Sequence, residues 1–185
     1  MTEPNYLLRV DEDFDVEYPG ADATSAECYV NVVRAADQLL AELARRLRVE
    51  AGISTTAMMV LATIDGLGGR STPAEIGRHV VVSSAAITSL IDTSERKGYV
   101  RRAPDPADRR RTWVALTPEG RTLIDRLLPG AHQVETDVMS ALTSAERLEL
   151  LRLLGKVQHS VLRVAQQPPK FAPAPRIRPA RLDRI

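Results

Sequence analysis

The segment from Thr72 to Gly98 constrains the fold most, because it holds two short helix signals separated by a brief connector. Thr72-Pro73-Ala74-Glu75 combines an N-cap threonine, a proline at the first helical position and the glutamate of a capping box. This first helix is expected to end near His79, and Ser83 is placed to cap a second helix that stops before Gly98. Two short helices joined by a turn of three or four residues predict a helix-turn-helix.

A basic β-hairpin is predicted directly after these helices. Two strands are indicated, Tyr99 to Arg102 and Arg111 to Thr117, and a proline- and arginine-rich tip lies between them. The net charge of the chain is only +1, yet Arg96 to Arg111 carries seven basic residues against Asp105 and Asp108. Positive charge concentrated in this way favours a defined nucleic-acid contact over binding by bulk charge.

Amphipathic helices flank this segment on both sides. Apolar residues recur at spacings of three and four from Asp22 to Glu50, after Thr117, and again in a leucine-rich helix that Thr143 caps. Pro129-Gly130 is expected to kink or interrupt the helix that follows Thr117. The apolar faces of the terminal helices need partners, and the same helices of a second copy would supply them, which predicts a homodimer.

The predicted fold is therefore mainly α with a small β-hairpin wing: a winged helix-turn-helix with N- and C-terminal dimerisation helices. Residues 1–21 form an acidic arm without helical period, 22–165 a single domain, and 166–185 a flexible Pro/Arg-rich tail. Within the domain, the winged helix-turn-helix covers about 53–117 and the dimerisation helices about 22–50 and 118–165.

The helix from Ser83 to Lys97 is the expected recognition helix. At 1.5 Å per residue it is about 22 Å long, and a major groove about 12 Å wide admits it. Small side chains opposite its apolar face let the backbone approach the base edges. The residues expected to read DNA are Ser83, Ser84, Ala85, Thr88 and Ser89 from this helix, and Arg109, Arg110 and Arg111 from the wing, which is placed to reach the minor groove and phosphates.

The sequence carries no recognisable catalytic or metal-binding motif. His79, His132 and His159 lie far apart without ligand spacing, and neither a phosphate-binding loop nor a nucleophile elbow occurs. We therefore expect no enzyme activity, no catalytic residue, no metal and no cofactor. Cys28, in a helical apolar pattern, is expected to be a small buried hydrophobe, and a redox-sensing thiol is the alternative.

The chain is expected to work in the cytoplasm, without a membrane partner. No stretch approaches the roughly 20 apolar residues that a membrane span requires. The N-terminus lacks the basic-then-apolar pattern of a signal peptide.

The segment from Thr72 to Gly120 resembles the MarR family of bacterial winged helix-turn-helix regulators. The residues that carry the resemblance are Pro73-Ala74-Glu75-Ile76, Thr88, Gly98-Tyr99-Val100-Arg101-Arg102, Asp108-Arg109-Arg110 and Leu116-Thr117-Pro118-Glu119-Gly120. The resemblance implies a dimer built from the first and last helices, with the recognition helix in the major groove and the wing in the minor groove. It also implies that Asp108 braces Arg110, and that a small, often aromatic or phenolic, ligand or an oxidant relieves repression. Two residues depart from the family pattern: Ser94 replaces a core leucine, and Ser89 stands where a basic residue is common.

The predicted function is a dimeric, sequence-specific regulator that binds double-stranded DNA at a pseudo-palindromic operator with half-sites about 34–36 Å apart. A small aromatic or lipophilic effector of unknown identity is expected between the helix from Asp22 to Glu50, the helix with Met58 and Met59, and the helix after Thr117. The alternative is a helical winged-helix module for protein–protein interaction without specific DNA binding. The wing arginines favour the DNA-binding interpretation, because a protein-binding version does not need them.

Overall fold

The computed structural model describes residues 6–80, 84–105, 108 and 112–169. They form two compact units, one of residues 40–141 and the other of residues up to 39 together with those from 142. The elements are α1 (Phe14–Glu17), α2 (Ala23–Ala51), α3 (Thr55–Gly66), β1 (Arg70–Ser71), α4 (Pro73–His79), α5 (Ser84–Arg96), β2 (Val100–Pro104), β3 (Thr112–Leu116), α6 (Pro118–Met139) and α7 (Ser144–Val164). The predicted fold class, mainly helical with a small hairpin, is confirmed.

Unit 40–141 is built around one hydrophobic core. Its fully buried side chains come from α3, α4, α5, β2, β3 and α6, and include Leu61, Ile64, Ile76, Ile91, Val114 and Ile124. Apolar residues from two short helices and a sheet thus meet in one cluster, which fixes α4 and α5 relative to the strands.

Side-chain caps begin the helices where the sequence predicts them. The Thr72 hydroxyl accepts a hydrogen bond from Glu75 N, and the Glu75 carboxylate accepts one from Thr72 N, so the capping box of α4 is complete. Thr143 and Glu146 repeat this arrangement at α7. Gly98, with φ +75°, follows α5 in a left-handed conformation that suits glycine.

The sheet has one strand more than the predicted hairpin. Its antiparallel order is β1-β3-β2, and β1 consists of only Arg70 and Ser71. Gly69 extends the pairing, since its carbonyl accepts a hydrogen bond of 2.9 Å from Leu116 N. A two-residue strand after Gly68-Gly69 carries no alternating pattern, which is why the sequence did not indicate it.

The wing joins α6 through one compact junction. Thr117 caps α6: its hydroxyl donates to Gly98 O at 2.6 Å and accepts from Gly120 N at 3.0 Å. Thr117 N donates to Tyr99 O at 3.0 Å. A Cβ on Gly120 would overlap this same Tyr99 carbonyl oxygen. The junction therefore requires the small residue that the sequence provides.

The predicted interruption of α6 at Pro129-Gly130 is wrong. α6 runs as one helix from Pro118 to Met139 with Pro129 inside it. Pro129 is on the exposed side, whereas Leu127 is buried and Ala131 packs against the core. Tertiary packing on both sides of the proline thus outweighs its local cost.

The N-terminal arm lies along the first part of α2. Leu8 N donates to Asn31 Oδ1 at 2.9 Å, and Asn31 Nδ2 donates back to Leu8 O at 2.8 Å. Arg9 pairs with Glu27 at 2.6 Å, and its hydrogen bond lowers the pKa of Glu27. The expectation of an arm without helix needs correction, because Phe14–Glu17 forms one helical turn and the Phe14 ring packs against Tyr18 at 5.2 Å.

The helices outside unit 40–141 leave large apolar faces uncovered in one chain. On the first part of α2, Tyr29 is 76% exposed, and on α7 Leu151 and Leu162 are 66% and 67% exposed. α7 contains no buried residue. Cys28 is also exposed, so its expected burial is wrong within a single chain. Within the described residues, no single helix is long and apolar enough to cross a membrane; α2 and α3 together would be, but they are bent by 81°.

Candidate nucleic-acid interface

α5 has one buried face and one exposed face. Ile87 and Ile91 are buried in the core, and Leu90 is packed partly against it. Ala85, Thr88 and Ser89 are exposed. With 13 residues, the helix is about 20 Å long at 1.5 Å per residue, enough to lie in a major groove.

The predicted recognition residues fall partly on this exposed face. The structure brings Ala85, Thr88 and Ser89 to one solvent-facing surface. Helix α5 begins at Ser84, whose side chain is outside the described set, as is Ser83 altogether. The face consists of small side chains, so DNA can approach the α5 backbone closely.

Ser94 stands where the family pattern has a core leucine, and this smaller residue is still buried. It is only 3% exposed, and its carbonyl accepts a hydrogen bond of 2.9 Å from Tyr99 N. The smaller side chain sits where α5 ends and the chain turns into β2, and α5 continues through it to Arg96.

The wing is tied to α5 by Arg102 of β2. Its guanidinium donates to Glu95 Oε2 at 2.5 Å and to Asp92 Oδ1 at 2.6 Å, and its backbone N donates to Glu95 Oε1 at 2.8 Å. Burial alone would lower the pKa of Arg102, but the hydrogen bonds to Asp92 and Glu95 outweigh it and raise this pKa above its ordinary value. The charge-assisted bonds fix the position of the hairpin relative to α5.

Glu75 links α4 to the sheet, as Arg102 links α5 to the wing. Its Oε2 accepts from Ser71 Oγ at 3.0 Å, from Thr72 N at 2.8 Å and from Thr72 Oγ1 at 2.9 Å. Ser71 belongs to β1, so one carboxylate links the sheet to the start of α4. Both helices of the helix-turn-helix are thereby bonded to the sheet.

The predicted wing residues lie largely outside the described part of the chain. Asp108 is described and exposed, whereas Arg109, Arg110 and Arg111 are not described. The strands that carry the tip are described: β2 ends at Pro104 and β3 begins at Thr112, and these two residues pair. Both observed strands begin one residue later than the predicted strands. The observed β2 ends two residues later than predicted, and the observed β3 ends one residue earlier.

A cavity of about 330 Å³ lies between the C-terminal half of α2 and α6. Its apolar lining includes Leu43, Leu47, Leu127 and Val134, and its charged lining includes Arg45, Arg46, Glu50 and Arg126. Arg45 and Arg46 both bond Glu42, which lowers the pKa of that carboxyl to about 2. Arg126 has no carboxylate partner among the described residues.

The sequence predicts a pocket between three helices, but only two of them, α2 and α6, line this cavity. The helix with Met58 and Met59 does not line it, because Met58 is packed into the core.

No group of three or more potential metal ligands occurs among the described residues. Among the histidines, His132 bonds Glu135 on its own helix at 2.9 Å, and His159 is exposed on α7.

Sequence reasoning missed the residues that join the wing to the helices. Arg102, Glu95 and Glu75 each make cross-element bonds that no local spacing indicates, although the capping role of Glu75 was predicted. Only the three-dimensional register, with Arg102 opposite Val114, brings Arg102 beside α5.

Two short helices joined by a brief connector and followed by a β-hairpin on a small sheet define a winged helix-turn-helix protein. A family model described as the MarR family matches residues 51–111. The repressor NicR of Pseudomonas putida is 35% identical over 89 residues, which make up 48% of this chain and 56% of NicR. The regulator YwaE of Bacillus subtilis is 30% identical over 127 residues, 69% of this chain and 74% of YwaE. The chain belongs to the MarR family.

Solved structures agree with this fold. Sco3205, a MarR family regulator of Streptomyces coelicolor solved in complex with DNA, superposes with a TM-score of 0.71 at 22% identity, over 80% of this chain and 95% of Sco3205. BpsR of Bordetella bronchiseptica, whose DNA binding is regulated by 6-hydroxynicotinic acid, gives 0.61 at 24% identity, over 70% of this chain and 98% of BpsR. The chain spans little more than half the length of NicR.

Proposed function

We propose that the chain is a homodimeric, sequence-specific DNA-binding regulator that represses transcription from a pseudo-palindromic operator and is released by a ligand or an oxidant. The observation that carries this proposal is the exposed face of small residues on α5 beside a wing that Arg102 fastens to the same helix. We place the protein in the cytoplasm, together with the DNA it reads.

The contacts with DNA divide between helix and wing. From α5 and its N-terminal flank, Ser83, Ser84, Ala85, Thr88 and Ser89 read the major groove, where hydroxyls bond base edges and Ala85 contacts a thymine methyl. From the wing, Arg109, Arg110 and Arg111 enter the minor groove or bind phosphates, and Asp108 braces Arg110. These roles are supported by the exposure of Ala85, Thr88 and Ser89.

The homodimer is supported by the uncovered apolar faces of α2 and α7. An amphipathic helix gains most of its stability from packing its apolar face, and α7 contains no buried residue in one chain. A second copy presents the same faces in return, as a two-fold interface requires. The division of the chain into an N-terminal arm, a single domain at 22–165 and a C-terminal tail also remains a prediction.

The effector is a small aromatic or lipophilic molecule bound in the cavity between α2 and α6. The apolar lining suits such a ligand, and Arg126 supplies a cation to orient an anionic group. The regulation of BpsR by an aromatic hydroxy acid supports this choice. An oxidant acting on the exposed Cys28 is the other route, and an unchanged oxidant response in Cys28→Ser would exclude it.

The test is selection of bound sequences from fragmented genomic DNA of the source organism at about 150 mM salt, close to physiological ionic strength. Wild-type protein is expected to enrich one pseudo-palindromic motif, and Arg110→Ala to lose the enrichment. Lys156→Ala removes one positive charge from an exposed position far from the wing in sequence and serves as the matched control, which should enrich the same motif.

An absence of enrichment, or binding that fades with salt and ignores Arg110, would contradict the proposal. The protein–protein interaction module would then be the better description of this winged helix.

A further inference from the structure

One face of the three-stranded sheet carries basic residues that the recognition helix and the wing tip do not account for. Arg70 of β1, Ala115 of β3 and Arg101 of β2 pair in one row across the sheet. Trp113 and Ala103 form the next row on the same face, because side chains alternate along a strand. We call these five residues the outer sheet face; the opposite face, with Ser71, Val100 and Val114, is buried.

The two arginines of the outer sheet face are exposed and are not neutralised by a neighbouring acid. Neither Arg70 nor Arg101 forms an ion pair with any residue in the described part of the chain. Arg102, the next residue on β2, points to the other face and is paired with Asp92 and Glu95. The outer sheet face itself contains no carboxylate, and the acidic residue closest in sequence to Arg101 is Asp105, which follows β2.

The guanidinium of Arg70 lies over the indole ring of Trp113. Its Cζ lies 5.0 Å from the centroid of the indole ring, within the range of a cation–π contact. A guanidinium stacked in this way keeps its planar N–H groups available at the edge, in the geometry that suits a phosphate. The stack therefore orients a positive charge without using its hydrogen-bond donors.

We propose that the outer sheet face binds the phosphate backbone of the DNA that flanks the minor groove occupied by the wing. The proposal rests on the proposed DNA-binding function. The row of Arg70 and Arg101 lies three residues from the tip end of β3, about 10 Å along the strand. Phosphates beside a groove entered by the tip are within reach of these long side chains. The contact adds affinity but no sequence preference, since phosphates carry none.

The experiment measures affinity for the selected operator and for unrelated DNA between about 50 and 200 mM salt, using wild type, Arg70→Gln, Arg101→Gln and the double variant. Each lost phosphate contact should reduce the slope of log K against log salt by about 0.9. Across this salt range, the affinity of each single variant should therefore fall by a factor that is about threefold smaller than the factor for wild type. The ratio between operator and unrelated DNA should stay the same. Arg101→Lys should retain the slope, because a point charge still binds a phosphate.

Lys156→Gln, at an exposed position on the charged side of α7, is the control for the loss of one positive charge, and its slope should equal that of wild type. Slopes of Arg70→Gln and Arg101→Gln equal to that of Lys156→Gln would overturn the inference, while specific binding by the wild type would leave the proposed function standing. A change in the ratio between operator and unrelated DNA would also overturn it, because the arginines would then read bases. A wild type that shows no operator preference would instead overturn the proposed function.

Discussion

Gly120 stands in the first turn of α6, where the helix meets the carbonyl oxygen of Tyr99. That carbonyl already accepts a hydrogen bond from Thr117 N, so the backbone that closes the wing cannot move aside without losing this bond. In the sequence, this glycine is recognisable only as part of the family pattern Leu116-Thr117-Pro118-Glu119-Gly120. The structure gives its physical reason, a close approach between a helix and a strand end.

Gly120→Ala is expected to lower the free energy of unfolding by about 1–3 kcal/mol, the usual cost of an overpacked site. Gly130→Ala, in the same helix with open space around it, should leave stability unchanged or raise it by about 0.5–1 kcal/mol, the helix preference of alanine. Urea unfolding of both variants and wild type measures the difference. Equal midpoints for the two variants would contradict the account of the junction.

At the scale of elements, Arg102 connects β2 to α5, and Glu75 connects β1 to α4. These bonds make the sheet a support for α5, the proposed recognition helix, as well as the base of the wing. Both Arg102 partners lie on one side of α5, at Asp92 and Glu95, three residues apart.

Arg102→Met is expected to loosen the wing while preserving the helices. It keeps an apolar stem but loses two charge-assisted bonds, each worth about 1 kcal/mol at a partly exposed site. Hydrogen exchange should accelerate at the β2 and β3 amides, and the affinity for the operator should fall. Arg101→Met, at the adjacent exposed position, is the control for exchange; similar protection in the two variants would refute the bracing role.

Local signals predicted most of the helices, because caps and apolar spacing act within one turn. The capping boxes at Thr72 and Thr143 and the start of α6 at Thr117 follow directly from the sequence. Elements that depend on distant partners were missed: β1 exists only through pairing with β3, and α6 passes Pro129 because core packing holds both sides. Of the candidate site, the exposed face of α5 was predicted, whereas its brace at Arg102 was not.

For the whole molecule, the most telling feature is how much apolar surface one chain leaves in water on α2 and α7. Leucines and valines at helical spacing along α7 are exposed, and α7 contains no buried residue. Their opposite side is charged, with Glu149, Arg152 and Lys156. Because α7 has one apolar side and one charged side, we expect a second copy of the chain to cover only the apolar side.

Leu151→Glu combined with Leu162→Glu is expected to convert the proposed dimer to monomers and to abolish operator binding, because two carboxylates would be buried at the proposed interface. Lys156→Glu places the same group on the charged side of α7 and should leave the dimer intact. Sedimentation of the three proteins measures the change. A double variant that still sediments as a dimer would show that α7 is not the interface.

The uncovered face of α7 also bears on gene dosage. An operator read by two copies is occupied in proportion to the square of the chain's concentration wherever monomers predominate. Where the operator is also far from saturated, halving synthesis would cut occupancy about fourfold by mass action, so repression would change more steeply than the supply of the chain.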